Sequence, residues 1–262
     1  MQETNIPKEY IKETKFLSEI IDLPSGGTIY PPESPLSSGK IEIKYPTARE
    51  EDILTSKNLI QKGIVIDVFV KSLIVDKNIN IEDLLIGDKS AILIAARIMA
   101  YGKDYPTEIT CPKCGHINSE VIDLSMFSHK ELDTKIAPVY SVKLPACKKE
   151  IEFKLLTGRD EKIIEAELKN YKKFTKSGPD IEITTRVKAC IVSVDGNNDR
   201  DFIASFVTKE LLSIDSIHLR KEMSRVSPDI DTKINFECEE CSHSERINMP
   251  IGISFFWPSS EN

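Results

Sequence analysis

The sequence predicts an α+β protein in which a mainly helical block is joined to a segment of short strands and helices by a metal-closed pair of knuckles. Three observations lead there. Cys111-Pro112-Lys113-Cys114-Gly115 and Cys238-Glu239-Glu240-Cys241-Ser242 are two C-x-x-C turns of like design, far apart in the chain, each with a β-prone approach. Apolar residues recur at helical spacing between Thr47 and Tyr101. Beyond the first C-x-x-C the period drops to two, over Tyr140-Val142-Leu144 and Ile151-Phe153-Leu155.

Residues 1–40 are expected to form an extended N-terminal arm, because Leu23-Pro24-Ser25-Gly26-Gly27 and Pro31-Pro32-Glu33-Ser34-Pro35 are dense in turn and polyproline formers. Gly26-Gly27 is a turn and not a phosphate loop, since no Walker or dinucleotide spacing surrounds it. Residues 41–108 make the mainly helical domain. A short strand, Ile41 to Tyr45, leads to the capping box Thr47-Ala48-Arg49-Glu50. A second helix starts near Ser56 and breaks at Gly63, and Val65, Phe69 and Leu73 mark one face of a third. Asn80 opens a turn, and Asp88 is placed as the cap of an apolar helix with Ile92, Ala95, Ala96 and Met99 on its stripe. Gly102 and Pro106 punctuate its end.

Residues 109–262 are expected to be a zinc-ribbon-like domain with an inserted α/β segment over about 125–230. The insertion begins with a hairpin turning at Pro145-Ala146-Cys147-Lys148. Thr157 with Asp160 then caps a helix whose face is Ile164, Leu168 and Tyr171, and Lys172, Lys173 and Lys176 suit its C-terminal dipole. Ile183, Val187, Cys190, Ile191 and Val194 repeat at helical spacing as one core stripe. Helices over 201–212 and 214–226 stop before Pro228. Thr232-Ile234-Phe236 enters the second knuckle as a strand and Ile247-Met249-Ile251 leaves it.

Cys111, Cys114, Cys238 and Cys241 together offer four thiolates, the ligand set of a closed structural zinc site that leaves no position for substrate. A rubredoxin-type iron centre, a labile disulfide or unused cysteines are the alternatives. His116 and His243 lie just beyond each pair and are read as surface residues of the turns. Paired thiols with no apolar stretch near the N-terminus suit a reducing compartment, with no secretory signal. A net charge of −7 argues against duplex binding, which needs excess Lys and Arg. No apolar run approaches the roughly 20 residues that span a bilayer. No catalytic or nucleotide fingerprint occurs, so neither an enzyme, a small-molecule substrate nor a membrane partner is expected. Phe255-Phe256-Trp257 places three aromatics beside a chain end, where they either fold back to close the core or anchor a partner.

Several stretches, in order along the chain, resemble the baseplate hub subunit family of T-even-type contractile-tailed bacteriophages. They include Leu23-Pro24-Ser25-Gly26-Gly27 through Tyr30-Pro31, Tyr45-Pro46-Thr47-Ala48, and Leu84-Leu85-Ile86-Gly87-Asp88. Tyr101-Gly102-Lys103-Asp104-Tyr105, Leu156-Thr157-Gly158-Arg159-Asp160-Glu161 and Ser254-Phe255-Phe256-Trp257-Pro258 continue the series. The resemblance implies a structural or assembly role at the centre of the tail baseplate, with other phage tail and hub proteins as partners. The implied location is the host cytoplasm during assembly, and the virion tail baseplate if the product is retained. It supplies no catalytic residues, and the zinc inference rests on the cysteines alone. The other class the cysteines suggest is a zinc-ribbon nucleic-acid or transcription accessory protein. Glu120, Glu237, Glu239, Glu240 and Glu245 around the knuckles oppose it, because they repel phosphate.

Overall fold

A computed structural model describes residues 17–175, 178–249 and 253–256. Among these residues the chain is α+β, with eight α-helices and five small antiparallel sheets. Strand β1 (Ser18–Asp22) pairs with β2 (Lys40–Lys44), Ser18 opposite Lys44. The loop between them belongs to the expected arm, and it docks on the body. Leu23 and Leu36 are buried in the same core as Phe69 and Ile92, so a stretch whose proline and glycine content argued against packing contributes core side chains.

Asp88 explains that docking. Its fully buried carboxylate accepts from the Ser25 N–H at 2.9 Å, the Ser25 hydroxyl at 2.7 Å and the Tyr30 hydroxyl. The Tyr30 oxygen in turn accepts from the Leu85 N–H at 2.9 Å. Burial pushes the Asp88 carboxyl up, and these three donors supply the hydrogen bonds that a buried polar group requires. Helices α1 (Ala48–Thr55), α2 (Lys57–Lys62), α3 (Val65–Leu73) and α4 (Ile86–Tyr101) stand where the sequence places them. The α4 cap is Leu85, however, not Asp88. Asp88 lies inside the first turn, where it tethers residues 25–30.

The hairpin of β3 (Asp104–Thr110) and β4 (Ile117–Asp123) leads to β5 (Ser128–His129). The inserted segment then holds β6 (Tyr140–Lys143), β7 (Glu150–Phe153), α5 (Gly158–Phe174), α6 (Glu182–Cys190), β8 (Ile191–Val194), α7 (Arg200–Lys209) and α8 (Ser213–Val226). The stripe expected to be helical through Val194 is cut at Cys190. Ile191–Val194 is instead the third strand of the sheet β6-β7-β8, with Val194 opposite Ile151. Ile-Val-Ser-Val fits a period of two as well as the helical one, and β-branched side chains suit a pleated surface. Buried Asp215 of α8 accepts the N–H groups of Ala146 at 2.7 Å and Cys147 at 3.0 Å, pinning the hairpin turn to that helix.

Strand β9 (Ile230–Asp231) pairs with β5, so the insertion enters and leaves at neighbouring strands. A Cβ on Gly87 would lie 1.9 Å from the Pro228 carbonyl oxygen, and only glycine lets the first turn of α4 meet this exit segment. The chain then forms the hairpin of β10 (Lys233–Glu237) and β11 (Ser244–Asn248). Two main cores result. One joins the N-terminal strands, the helical block and Met249, Phe255 and Phe256. The other lies mostly within the insertion, around Phe153, Ile191 and Phe206, and includes buried Leu85 beside α4.

Glu50 offers a test of the capping box. It is 1% exposed, and its carboxylate accepts from Lys44 Nζ at 2.8 Å, the Thr47 N–H at 2.9 Å and the Thr47 hydroxyl at 2.7 Å. Burial pushes the carboxyl up, but Lys44 and Thr47 outweigh it and hold it down at about 2. A carboxyl lowered on folding gives its full stabilisation above an unfolded value of about 4.3. That stabilisation is lost as pH falls from there towards the folded value. Glu50→Gln is expected to cost on the order of 2 kcal/mol at neutral pH, and less as the solution is acidified through this window. Urea unfolding across that window checks it, and a variant that tracks the wild type throughout would refute this role.

Candidate metal centre

Each C-x-x-C sits at the turn of a two-stranded hairpin, the first between β3 and β4, the second between β10 and β11. The two turns are built alike. The Cys111 N–H donates to the His116 carbonyl at 2.8 Å, and the Gly115 N–H to the Cys111 carbonyl at 2.9 Å. The Cys238 N–H donates to the His243 carbonyl and the Ser242 N–H to the Cys238 carbonyl, both at 2.9 Å. The residue after each second cysteine is left-handed, with φ of 76° at Gly115 and 52° at Ser242. A Cβ on Gly115 would meet open space, so its requirement is conformational alone.

The turns face each other and bring all four predicted sulfurs together. Cys111 Sγ lies 3.7 Å from Cys241 Sγ, and Cys114 Sγ lies 3.6 Å from Cys238 Sγ. All four sulfurs fall within 4.8 Å of one another. A disulfide spans about 2.05 Å, and the cysteines are free. A tetrahedron with metal–sulfur bonds of about 2.3 Å has edges of about 3.8 Å. The two cross-knuckle pairs match that edge, so the donor set fits a four-coordinate metal ion. No histidine belongs to the cluster. His243 Nε2 lies 3.4 Å from a Glu245 oxygen.

The backbone prepares part of this charge. Burial pushes the Cys238 thiol up, but the N–H groups of Cys241 and Glu240 outweigh it and bring it down to about 6. Cys114 goes the other way. The His116 N–H favours its thiolate, yet desolvation and the three neighbouring sulfurs push it up to about 12. Four thiols this close cannot all ionise unaided, and a bound cation is what permits it. Cys190, outside the cluster, is a core residue whose thiol burial pushes up to about 12.

Asn118 joins the two halves, and nothing in the sequence marked it. It is fully buried on β4, opposite Ile109. Its amide donates to the carbonyls of Ile109 at 3.3 Å and His116 at 3.2 Å, and approaches Cys238 Sγ at 3.8 Å. Its Oδ1 accepts the Glu239 N–H of the other knuckle at 2.9 Å. The only signal was a polar residue at an inward place of a strand, which no spacing motif records. Ile109 and Phe236 pack with Cys111 and Cys238 in a small core of their own beneath the sulfurs.

Of the two arrangements the sequence allows for the C-terminal aromatics, Phe255 and Phe256 take the first and fold back into the first core. Phe255 meets Tyr105 edge-on at 5.1 Å, and Phe256 meets Phe69 at 5.0 Å. Buried Arg97 donates from Nε to the Phe255 carbonyl at 2.8 Å, which fixes the segment's backbone. Trp257 lies outside the described residues.

The family model described as T4 bacteriophage base plate protein matches residues 18–257. Neither the curated proteins nor the solved structures give a match. No helix among the described residues is long and apolar enough to cross a membrane.

The like turns predict unlike responses to substitution. Gly115→Ala is expected to cost about 1 kcal/mol, the usual penalty of a Cβ in the left-handed region. Ser242→Gly relieves that same penalty and is expected not to destabilise. Equal losses in the two variants, measured by denaturant unfolding of metal-loaded protein, would show that the backbone conformation is not what these positions select.

Proposed function

Because the chain belongs to the T4 bacteriophage base plate protein family, we propose that it is a structural or assembly component of the central hub of the tail baseplate. It acts through contacts with other tail and hub proteins, and a zinc ion held by Cys111, Cys114, Cys238 and Cys241 stabilises it. The observation that carries the role is the reach of the family match, residues 18–257 of a 262-residue chain. The hub position is supported by the ordered sequence resemblance from Leu23 to Pro258. The zinc is supported by the four sulfurs and the two tetrahedral-edge distances between them. Zinc suits four thiolates in a closed site, where it carries no redox chemistry and needs none. The protein works in the host cytoplasm while tails are built, and in the tail baseplate if retained.

Two outcomes test these statements separately. Purified protein is expected to carry one zinc per chain by elemental analysis. Cys238→Ser is expected to lose the metal and about 4 kcal/mol or more of stability, the range in which loss of a metal site falls. Metal-free protein as isolated from zinc-replete cells, or undiminished stability in Cys238→Ser, would remove zinc from the proposal.

Deleting the gene from its phage is expected to leave heads normal while complete baseplates and tails fail to accumulate in electron micrographs of lysates. Normal tails from the deletion would overturn the assembly role. Tight, salt-sensitive DNA binding by the pure protein would overturn it in favour of nucleic-acid recognition.

A further inference from the structure

We propose that Asn118 is the positioning residue of the metal centre: it seats the second knuckle on the first, so that the four sulfurs converge before an ion arrives. This rests on the zinc reading above and gives a residue outside the ligand set a part in holding the ion. The two knuckles correspond residue for residue. Asn118 lies four residues beyond Cys114, on the returning strand and opposite Ile109. Glu245 lies four residues beyond Cys241, on the returning strand and opposite Phe236. Asn118 is fully buried and reaches the other knuckle, whereas Glu245 is exposed. The turns differ in the matching sense. Pro112 follows Cys111 and has no N–H to offer. Glu239 follows Cys238, and its N–H donates to Asn118 Oδ1 at 2.9 Å. The link therefore runs one way, from the body of the first hairpin to the cysteine turn of the second.

The amide end of Asn118 is fixed on its own hairpin. It donates to the Ile109 carbonyl at 3.3 Å and to the His116 carbonyl at 3.2 Å. The His116 carbonyl also receives the Cys111 N–H, so the anchor is part of the first cysteine turn. Held there, the amide nitrogen lies 3.8 Å from Cys238 Sγ, within reach of an N–H···S contact. One planar side chain thus fixes both a ligand sulfur of the second knuckle and the backbone N–H of the next residue. An apolar side chain of the same size would leave the Glu239 N–H without this partner. It would also remove an N–H donor from the Cys238 sulfur, where thiolate charge has to be carried. Groups that orient metal ligands through hydrogen bonds typically govern affinity by 10- to 100-fold without touching the ion.

The test uses the purified protein loaded with zinc, and with cobalt(II) in its place as a coloured reporter of thiolate ligands. Asn118→Leu is expected to weaken zinc 10- to 100-fold in chelator competition. It is also expected to shift the sulfur-to-cobalt charge-transfer band to lower energy, because a thiolate that loses an N–H donor releases its electrons more readily. Glu239→Pro removes only the N–H that Asn118 accepts, in a turn whose counterpart already carries Pro112. It is expected to weaken zinc about 10-fold and to leave the band in place. Adding it to Asn118→Leu is expected to cost nothing further, since both substitutions break one contact. If Asn118→Leu fails to fold, Glu239→Pro set against Glu245→Ala, at the position corresponding to Asn118, tests the same link, and only the first is expected to weaken zinc. Wild-type zinc affinity in Glu239→Pro would overturn the proposal. So would an affinity loss in Asn118→Leu with an unmoved band, or losses in the two variants that simply add. Wild-type protein that takes up neither zinc nor cobalt would remove the metal reading itself, whereas normal metal binding by the wild type and by both variants would remove only the role of Asn118.

Discussion

The junction of the two cysteine knuckles is the constraint on which the distal half of the molecule depends. Each hairpin alone is a two-stranded ribbon, and such a ribbon is at best marginally stable in water. Their shared core holds only four buried residues, two of which are the cysteines Cys111 and Cys238. Apolar burial on that scale cannot fix two ribbons in register against each other, whereas the Asn118 side chain bridges them directly and the proposed metal ion would add a ligand from each cysteine. The knuckles are separated by more than a hundred residues, yet the entropy of closing so long a loop grows only slowly with its length. A large insertion between the half-sites is thus tolerable, provided its ends emerge together. The β5–β9 pairing and the Gly87–Pro228 approach meet that condition.

Buried carboxylates repeat this logic on a smaller scale. Asp88 fastens residues 25–30 to α4, Glu50 fastens β2 to α1, and Asp215 fastens the β6–β7 turn to α8. Each accepts at least two hydrogen bonds, at least one of them from a backbone N–H, and so each converts a loop or cap with few apolar residues into a defined surface. An unpaired buried carboxylate would be strongly destabilising, which makes each a point where one segment's geometry depends on another's.

How much the sequence disclosed follows the same division. The C-x-x-C turns were legible because two cysteines at a fixed short spacing make a recognisable pattern, and the capping boxes at Thr47 and Thr157 because local hydrogen bonding does. Asn118 was not legible, since one asparagine in a strand has no spacing to betray it. Asp88 looked like a cap because caps are local, while its partners Ser25 and Tyr30 lie about sixty residues away. Ile191–Val194 satisfied two periods at once, and only the neighbouring strand β7 decided between them. Leu23 and Leu36 were hidden by the prolines and glycines around them, though tethering to α4 gives those two side chains a core to enter.

Ile230, Ile234, Met249, Phe255 and Phe256 all belong to the first core, so segments on both sides of the second knuckle are anchored there. Displacing that knuckle must therefore strain the first core, which couples the four-sulfur junction to the helical block. The insertion has a second core around Phe153, Ile191 and Phe206, joined to the helical block through buried Leu85, and Lys130 beside β5 donates to the Ser227 carbonyl at the end of α8 at 3.2 Å. Movement of the insertion is therefore limited by the helical block as well as by the β5–β9 pairing.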